Sequence, residues 1–172
     1  MILWLNGTFG VGKTTTSRCI TRVAPEWHPF DPEWVGYMLR ANLDGVPFDD
    51  FQDLAAWRRL VPHVMHEVGL LTGEHLIASQ TVLVEDYWNE LRSGLEDRGL
   101  EVFHVLLDCD EAVLRDRISC DADERGAQEW RVRHLEDYRA ARAWMVRAAD
   151  QVVDTSGSDP GKVAAQILDA VR

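Results

Sequence analysis

The sequence predicts an α/β fold: three layers, with a five-stranded parallel sheet carrying helices on both faces. Short continuous apolar runs alternate with segments of helical periodicity along the whole chain, the pattern of strand–helix–strand crossovers. The first apolar run ends directly in a glycine-rich turn followed by a helix start. Finally, 172 residues, 46% of them hydrophobic, suit one core and are too few for two ordinary domains, so residues 1–172 are expected to form a single domain.

Strands are expected at Ile2–Leu5, Trp27–Phe30, His75–Ser79, Val102–Leu107 and Gln151–Val153, the second weakened by Pro29. Helices fill the intervals at Lys13–Val23, Pro32–Asn42, Asp50–Leu71, Asp86–Arg98, Glu111–Ile118, Glu129–Ala148 and Pro160–Val171. Asp31-Pro32 and Asp159-Pro160 are cap-then-proline starts, Gly73 and Gly99 are left-handed stops, and Pro62 is expected to kink the third helix. The polar break Asp121-Ala-Asp-Glu-Arg125-Gly126 separates two helices, and a short lid is expected over about 119–130.

The turn after the first strand reads Gly7-Thr-Phe-Gly-Val-Gly12-Lys13-Thr14, a complete G-x-x-x-x-G-K-[ST] phosphate-binding loop. Its glycines let several backbone N–H groups converge on one phosphate, and the following helix turns its positive end to the same anion. The expected nucleotide contacts are Gly7, Phe9, Gly10, Val11, Gly12, Lys13, Thr14 and Thr15. Lys13 would bridge the β- and γ-phosphates, and the Thr14 hydroxyl would hold Mg²⁺. No N-K-x-D guanine signal occurs, which favours ATP over GTP.

Lys+Arg of 18 against Asp+Glu of 29 leave a net charge of −11, which repels nucleic-acid backbones and anionic membranes. The lysines are Lys13 and Lys162; the other basic residues are arginine, suited to bidentate phosphate or carboxylate contacts. No run approaches the roughly 20 apolar residues of a membrane span, so a cytoplasmic protein is expected. Cys19, Cys109 and Cys120 are widely spaced and read as reduced thiols, and His63 and His66 lack a third zinc ligand.

With these elements placed, the chain resembles the small P-loop kinases of the nucleoside, nucleotide and shikimate kinase group. It resembles more closely the tunicamycin-resistance ATP-binding proteins. The likeness is carried by Ile2–Thr14, by Asp31-Pro-Glu-Trp-Val-Gly-Tyr-Met-Leu-Arg40, and by Asp49-Asp-Phe-Gln-Asp-Leu-Ala-Ala-Trp57-Arg58. Weaker echoes follow at Gln80-Thr81-Val82, Tyr87–Leu91 and Leu114–Ile118. The resemblance implies a P-loop NTPase fold of the kinase type, ATP binding, and a role in tolerance to a nucleoside antibiotic.

Asp31 follows the second strand, at the sheet edge beside the phosphate loop, and could act as general base or orient Mg²⁺ through water. It is equally an N-cap with a first-turn proline; the resemblance favours chemistry. Arg40, about two and a half helical turns on, could clamp the acceptor. Gln52, Trp57 and Arg58 could stack and hydrogen-bond a ring, or Trp57 could be core. Gln80 and Thr81 end the central strand and could recognise substrate or merely form the turn. Arg117 and Arg125 bracket the lid and could reach adenine or the transferring phosphate, Arg117 being a catalytic candidate with Lys13 and Asp31. Asp154 and Thr155 follow the last strand, at the adenine side of small kinases, and Asp108 stays outside the metal site.

Phosphate loop, carboxylate, anion clamp and lid are the parts of an ATP-dependent phosphotransferase. The expected reaction moves the γ-phosphoryl group to a hydroxyl of a small-molecule acceptor, nucleoside-like or antibiotic. The alternative is a non-catalytic protein that sequesters a drug in an ATP-ordered pocket. A homodimer is compatible with the sequence.

Overall fold

Every residue of Ile2–Asn6 (β1) is buried, which explains why an unbroken apolar run, rather than an alternating one, marks the strand. β1 pairs in parallel with His75–Ser79 (β3) on one side and with Val102–Asp108 (β4) on the other. Trp27–Phe30 (β2) adds to β3 and Gln151–Asp154 (β5) to β4, giving the order β2-β3-β1-β4-β5. The expected five-stranded parallel sheet is therefore present. The structure is a computed structural model describing residues 1–120 and 128–172, with side chains for 1–120 and 134–172. The expected lid centre and Arg125 lie outside the described residues.

Helices Lys13–Val23 (α1), Glu33–Arg40 (α2), Ala55–Thr72 (α3), Glu85–Glu96 (α4), Glu111–Cys120 (α5), Gln128–Ala148 (α6) and Pro160–Ala170 (α7) match the expected series within a few residues. The largest departure is at the start of α3. Asp50 accepts a hydrogen bond from Gln52 N at 2.9 Å, and Leu54 is extended, so residues Phe51–Asp53 form a separate 3₁₀ turn before the helix begins. α3 then runs as one helix through Pro62, whose ring packs against Gly94 of α4. The Asp159 cap, with its carboxylate on Gly161 N, and the positive-φ stops at Gly73 and Gly99 are as expected.

Alternation along β1 divides the core. Ile2 and Trp4 face α3, α4 and α6 together with Trp57, Val61, Met65 and Trp88. Leu3 and Leu5 face the opposite layer with Ile20, Val163 and Ile167 of α1 and α7. With β3 paired on one side and β4 on the other, β1 is the point at which the sheet's winding reverses, and its carboxyl end is where ligands of such sheets bind.

Inside the first layer His104 is fully buried, with its ring 4.0 Å from that of Trp88. Its Nδ1 lies 3.1 Å from the Ala148 carbonyl oxygen and so carries the proton, whereas Nε2 has no partner. Burial lowers its pKa from 6.5 to about 4, against the opposing pull of the Ala148 carbonyl and Asp150. Between those values the unfolded chain takes up a proton that the folded chain refuses, so this contribution is intact above about pH 6.5 and falls as pH drops towards 4. The loss should amount to about 3 kcal/mol. Urea unfolding of wild type and His104→Leu at several pH values checks this: the variant should lack that part of the acid slope, and an unchanged slope would refute it.

Candidate active site

The phosphate loop is shaped by contacts made behind it. Gly7, Gly10 and Gly12 have φ of +135, +77 and +102°. At Gly7 there is a second constraint, because a Cβ would land on the Leu107 carbonyl oxygen. Asn6, fully buried, accepts hydrogen bonds from Gly7 N (2.8 Å) and Val82 N (2.9 Å) and donates to the Val82 carbonyl (3.2 Å). Thr81 Oγ1 donates to Gly7 O at 2.8 Å. On the far side Thr155 Oγ1 lies 3.1 Å from the Val11 carbonyl, and Arg117 donates to Thr155 O at 2.6 Å.

This bracing leaves the loop open towards solvent. α1 begins at Gly12 without a side-chain cap and with no acidic residue in its first turn, so its leading N–H groups and positive end meet the cleft. Lys13 Nζ reaches back across the loop to Gly7 O (2.8 Å) and Thr8 O (2.9 Å), 5.5 Å from the centre of the Phe9 ring. A cradle of positive-φ glycines, a helix N-terminus and an ammonium fits a polyphosphate. Thr14, one residue into the helix and also lining the cleft, has a hydroxyl that could hold a phosphate-bound Mg²⁺.

The cleft has a volume of about 1870 Å³, beyond the roughly 300–1,000 Å³ typical of one small ligand, so it has room for two. On the phosphate-loop side it is lined by Phe9, Gly10, Gly12, Lys13, Thr14, Thr15 and Arg117. Opposite lie the end of β2 with Asp31, then Glu33 and Arg40 of α2, the 3₁₀ turn with Asp50, Gln52 and Asp53, and the end of β3 with Ser79, Gln80 and Thr81. Asp31 caps the start of α2 and also lies on the cleft. Its Oδ1 accepts from Glu33 N at 2.9 Å at the start of α2, and the residue is exposed on the cleft. Arg40 rests over the Phe48 ring at 4.6 Å.

Some expected contacts are corrected. Trp57 is fully buried and its indole donates to the Pro32 carbonyl at 3.0 Å, which makes it core and excludes ring stacking in the cleft. Arg58 is buried too, bound to Glu90 at 2.8 Å and to the Gln52 carbonyl, and lying 4.1 Å from the Tyr87 ring centre; it supports the 3₁₀ turn from behind. Thr81's hydroxyl is used by the loop, so its side chain is structural. Val11's side chain is core, and Thr155 is buried behind the loop, so neither side chain meets a nucleotide in this arrangement. Asp154 holds Ser156 N and Oγ, which lower its pKa, and does not line the cleft.

Other residues that were not site candidates also line the cleft. Asp49, Asp50, Asp53, Glu85 and Tyr87 line the acceptor half, and His134, Asp137 and Trp144 of α6 form a wall opposite. Burial raises the Asp50 carboxyl above its usual range, against the hydrogen bond from Gln52. Tyr87 OH donates to Asp53 at 3.1 Å. Asp108, kept out of the metal site, accepts from Tyr138 (2.6 Å) and Arg142; burial alone would raise its carboxyl, but these bonds outweigh it and lower the pKa.

No protein-family model and no curated protein matches the chain. Among solved structures, the tunicamycin resistance protein of Deinococcus radiodurans matches with TM-score 0.74 and 30% identity, covering 99% of this chain and 94% of that one. A sugar kinase from Janibacter sp. HTCC2649 has TM-score 0.69 at 18% identity, covering 99% and 93%. An APS kinase of Mycobacterium tuberculosis, in complex with AMPPNP and APS, has TM-score 0.66 at 18%, covering 99% and 96%. The two kinases share the fold. The first match, across nearly the whole of both chains, agrees with the loop, the Asp31–Arg40 segment and the Asp49–Arg58 segment: this chain belongs to the tunicamycin-resistance protein family, on the P-loop kinase fold.

Proposed function

We propose that the protein is an ATP-dependent small-molecule phosphotransferase. The observation that carries this reading is one cleft with a phosphate cradle on one side and, across it, a carboxylate-lined pocket beginning at Asp31. ATP would lie with its β- and γ-phosphates on the loop amides and Lys13, and Arg117 near the adenine or the transferring group. Mg²⁺ held by the Thr14 hydroxyl would neutralise charge on the phosphates. An acceptor hydroxyl beside Asp31 would pass its proton to the free carboxylate oxygen while its own oxygen attacks the γ-phosphorus, and the bond to the β-phosphate oxygen would break to leave ADP. Gln80, Gln52 and Arg40 would hold the acceptor in line.

One specific observation favours the alternative of ATP-dependent sequestration: Asp31 already has structural work as the cap on Glu33 N. The product decides between the two. Mass-spectrometric search of candidate nucleosides, sugars and antibiotics incubated with ATP should find one species that gains a phosphoryl group; drug binding without any such product would support sequestration.

Lys13→Ala should weaken ATP·Mg binding by about tenfold or more in calorimetry, because a charged contact to the phosphates is lost while the fold stands. Equal affinity in a folded variant would remove the phosphate-loop assignment. Asp31→Asn keeps the capping oxygen and loses the charge, so its melting temperature should barely move. Single-turnover transfer should fall by about 10²-fold with ATP affinity unchanged; transfer at the wild-type rate would show that Asp31 only caps α2.

A further inference from the structure

The acceptor half of the cleft is rich in hydrogen-bond acceptors and poor in donors. Gln80 is 5% exposed and lines the cleft; its Nε2 faces the Thr81 carbonyl at 3.4 Å, and its Oε1 accepts no hydrogen bond from a described residue. A buried amide oxygen without a partner is an unmet requirement for a donor. Three carboxylates stand on the same side, each with one oxygen engaged. Asp31 accepts from Glu33 N, Asp50 from Gln52 N and Asp53 from Tyr87 OH, while their second oxygens accept from no described residue.

Most donors of that wall are already committed; the exception is Ser79 Oγ, a buried hydroxyl with no described partner that can give or accept a hydrogen bond. Thr81 Oγ1 gives its proton to Gly7 O, Gln52 Nε2 gives to the Thr81 carbonyl, and Tyr87 gives to Asp53. Beyond the phosphate loop and Arg117, the cationic side chains lining the cleft among the described residues are Arg18 and Arg40, against carboxylates at Asp31, Glu33, Asp49, Asp50 and Asp53. His134 of the opposite wall is the other basic group felt by Asp50. A carboxylate or phosphate on an acceptor would bring only more acceptors and like charge.

We propose that this half takes a hydroxyl-rich acceptor with no anionic group, bound most tightly when it carries a protonated amine. The proposal deepens the phosphotransferase reading and rests on its division of the cleft. Hydroxyl or ammonium protons would meet Gln80 Oε1 and the open oxygens of Asp31, Asp50 and Asp53. The burial that raises the Asp50 carboxyl would be offset by an adjacent cation.

The experiment measures binding of glucosamine, glucose and glucuronate to the full chain saturated with AMPPNP·Mg, by saturation-transfer NMR titration at physiological ionic strength, where long-range attraction to the net charge of −11 is screened. Glucosamine should bind about tenfold or more tightly than glucuronate, with glucose between them. Asp50→Asn retains the oxygen that accepts from Gln52 N and should narrow that gap. Gln80→Met keeps the shape without the acceptor and should weaken glucosamine and glucose together by about tenfold. AMPPNP affinity serves as the check that each variant is folded. The proposal is overturned if glucuronate binds as tightly as glucosamine, if glucosamine shows no saturable binding, or if neither variant changes its affinity. In a parallel incubation with ATP·Mg, the expected order without phosphoryl transfer to any member would leave this inference standing and count against the kinase reading. Transfer to an anionic acceptor would do the reverse.

Discussion

The active cleft depends on the carbonyl and amide groups of residues 7–12 being held in a shape that their own sequence cannot maintain in isolation. A glycine-rich segment loses much conformational entropy on ordering, and it must present N–H groups to solvent rather than pair them. Here the cost is offset by buried polar contacts from behind: Asn6 ties Gly7 to Val82, Thr81 ties Gly7 to the end of β3, and Thr155 ties Val11 to the end of β4. Leu107 closes the gap so tightly that position 7 admits only glycine. All these groups sit at the carboxyl ends of adjacent strands, so the parallel sheet itself sets the loop's position.

The same economy appears on the acceptor side. Gly36 of α2 lets the Phe51 ring approach to where a Cβ would lie 2.5 Å from it, and this packs the 3₁₀ turn against the helix that begins at Asp31. Arg58 and Trp57 then support that turn and α2 from the core, through the Gln52 and Pro32 carbonyls. The residues with open polar groups are thus carried on a turn and a strand end, whereas their supports are on the helices behind them. Elements fixed by packing position groups that remain available to a ligand.

Much of the fold was legible because the signals were local and mutually consistent: buried strands as apolar runs, Asp159-Pro160 as a helix start, Gly73 as a stop. The loop at Gly7–Thr14 was legible for a different reason, since its chemistry demands a nearly fixed spacing. The start of α3 was misread by local pattern, because Asp50 can satisfy the backbone either as a first-turn acid or, as it does, by capping a short turn at Gln52. Trp57 and Arg58 stayed ambiguous because an indole beside a guanidinium looks the same in sequence whether it faces ligand or core. Only the partners, Pro32 and Glu90, distinguish the cases. Asn6 left no sequence signal at all, being one polar residue at the end of an apolar strand.

By itself, then, the sequence determined the strand and helix series, the glycine-rich loop, and the net charge of −11, all properties that reside in contiguous residues or in composition. Tertiary structure decided which of the remaining polar residues face the cleft. Gln80 and Thr81 are neighbours in the chain, yet one keeps an open oxygen and the other spends its hydroxyl on Gly7, some seventy residues away in sequence. That division follows from parallel pairing of β1 with β3, which brings the ends of the two strands together, gives the Thr81 hydroxyl a protein partner and sets the Gln80 amide against the cleft.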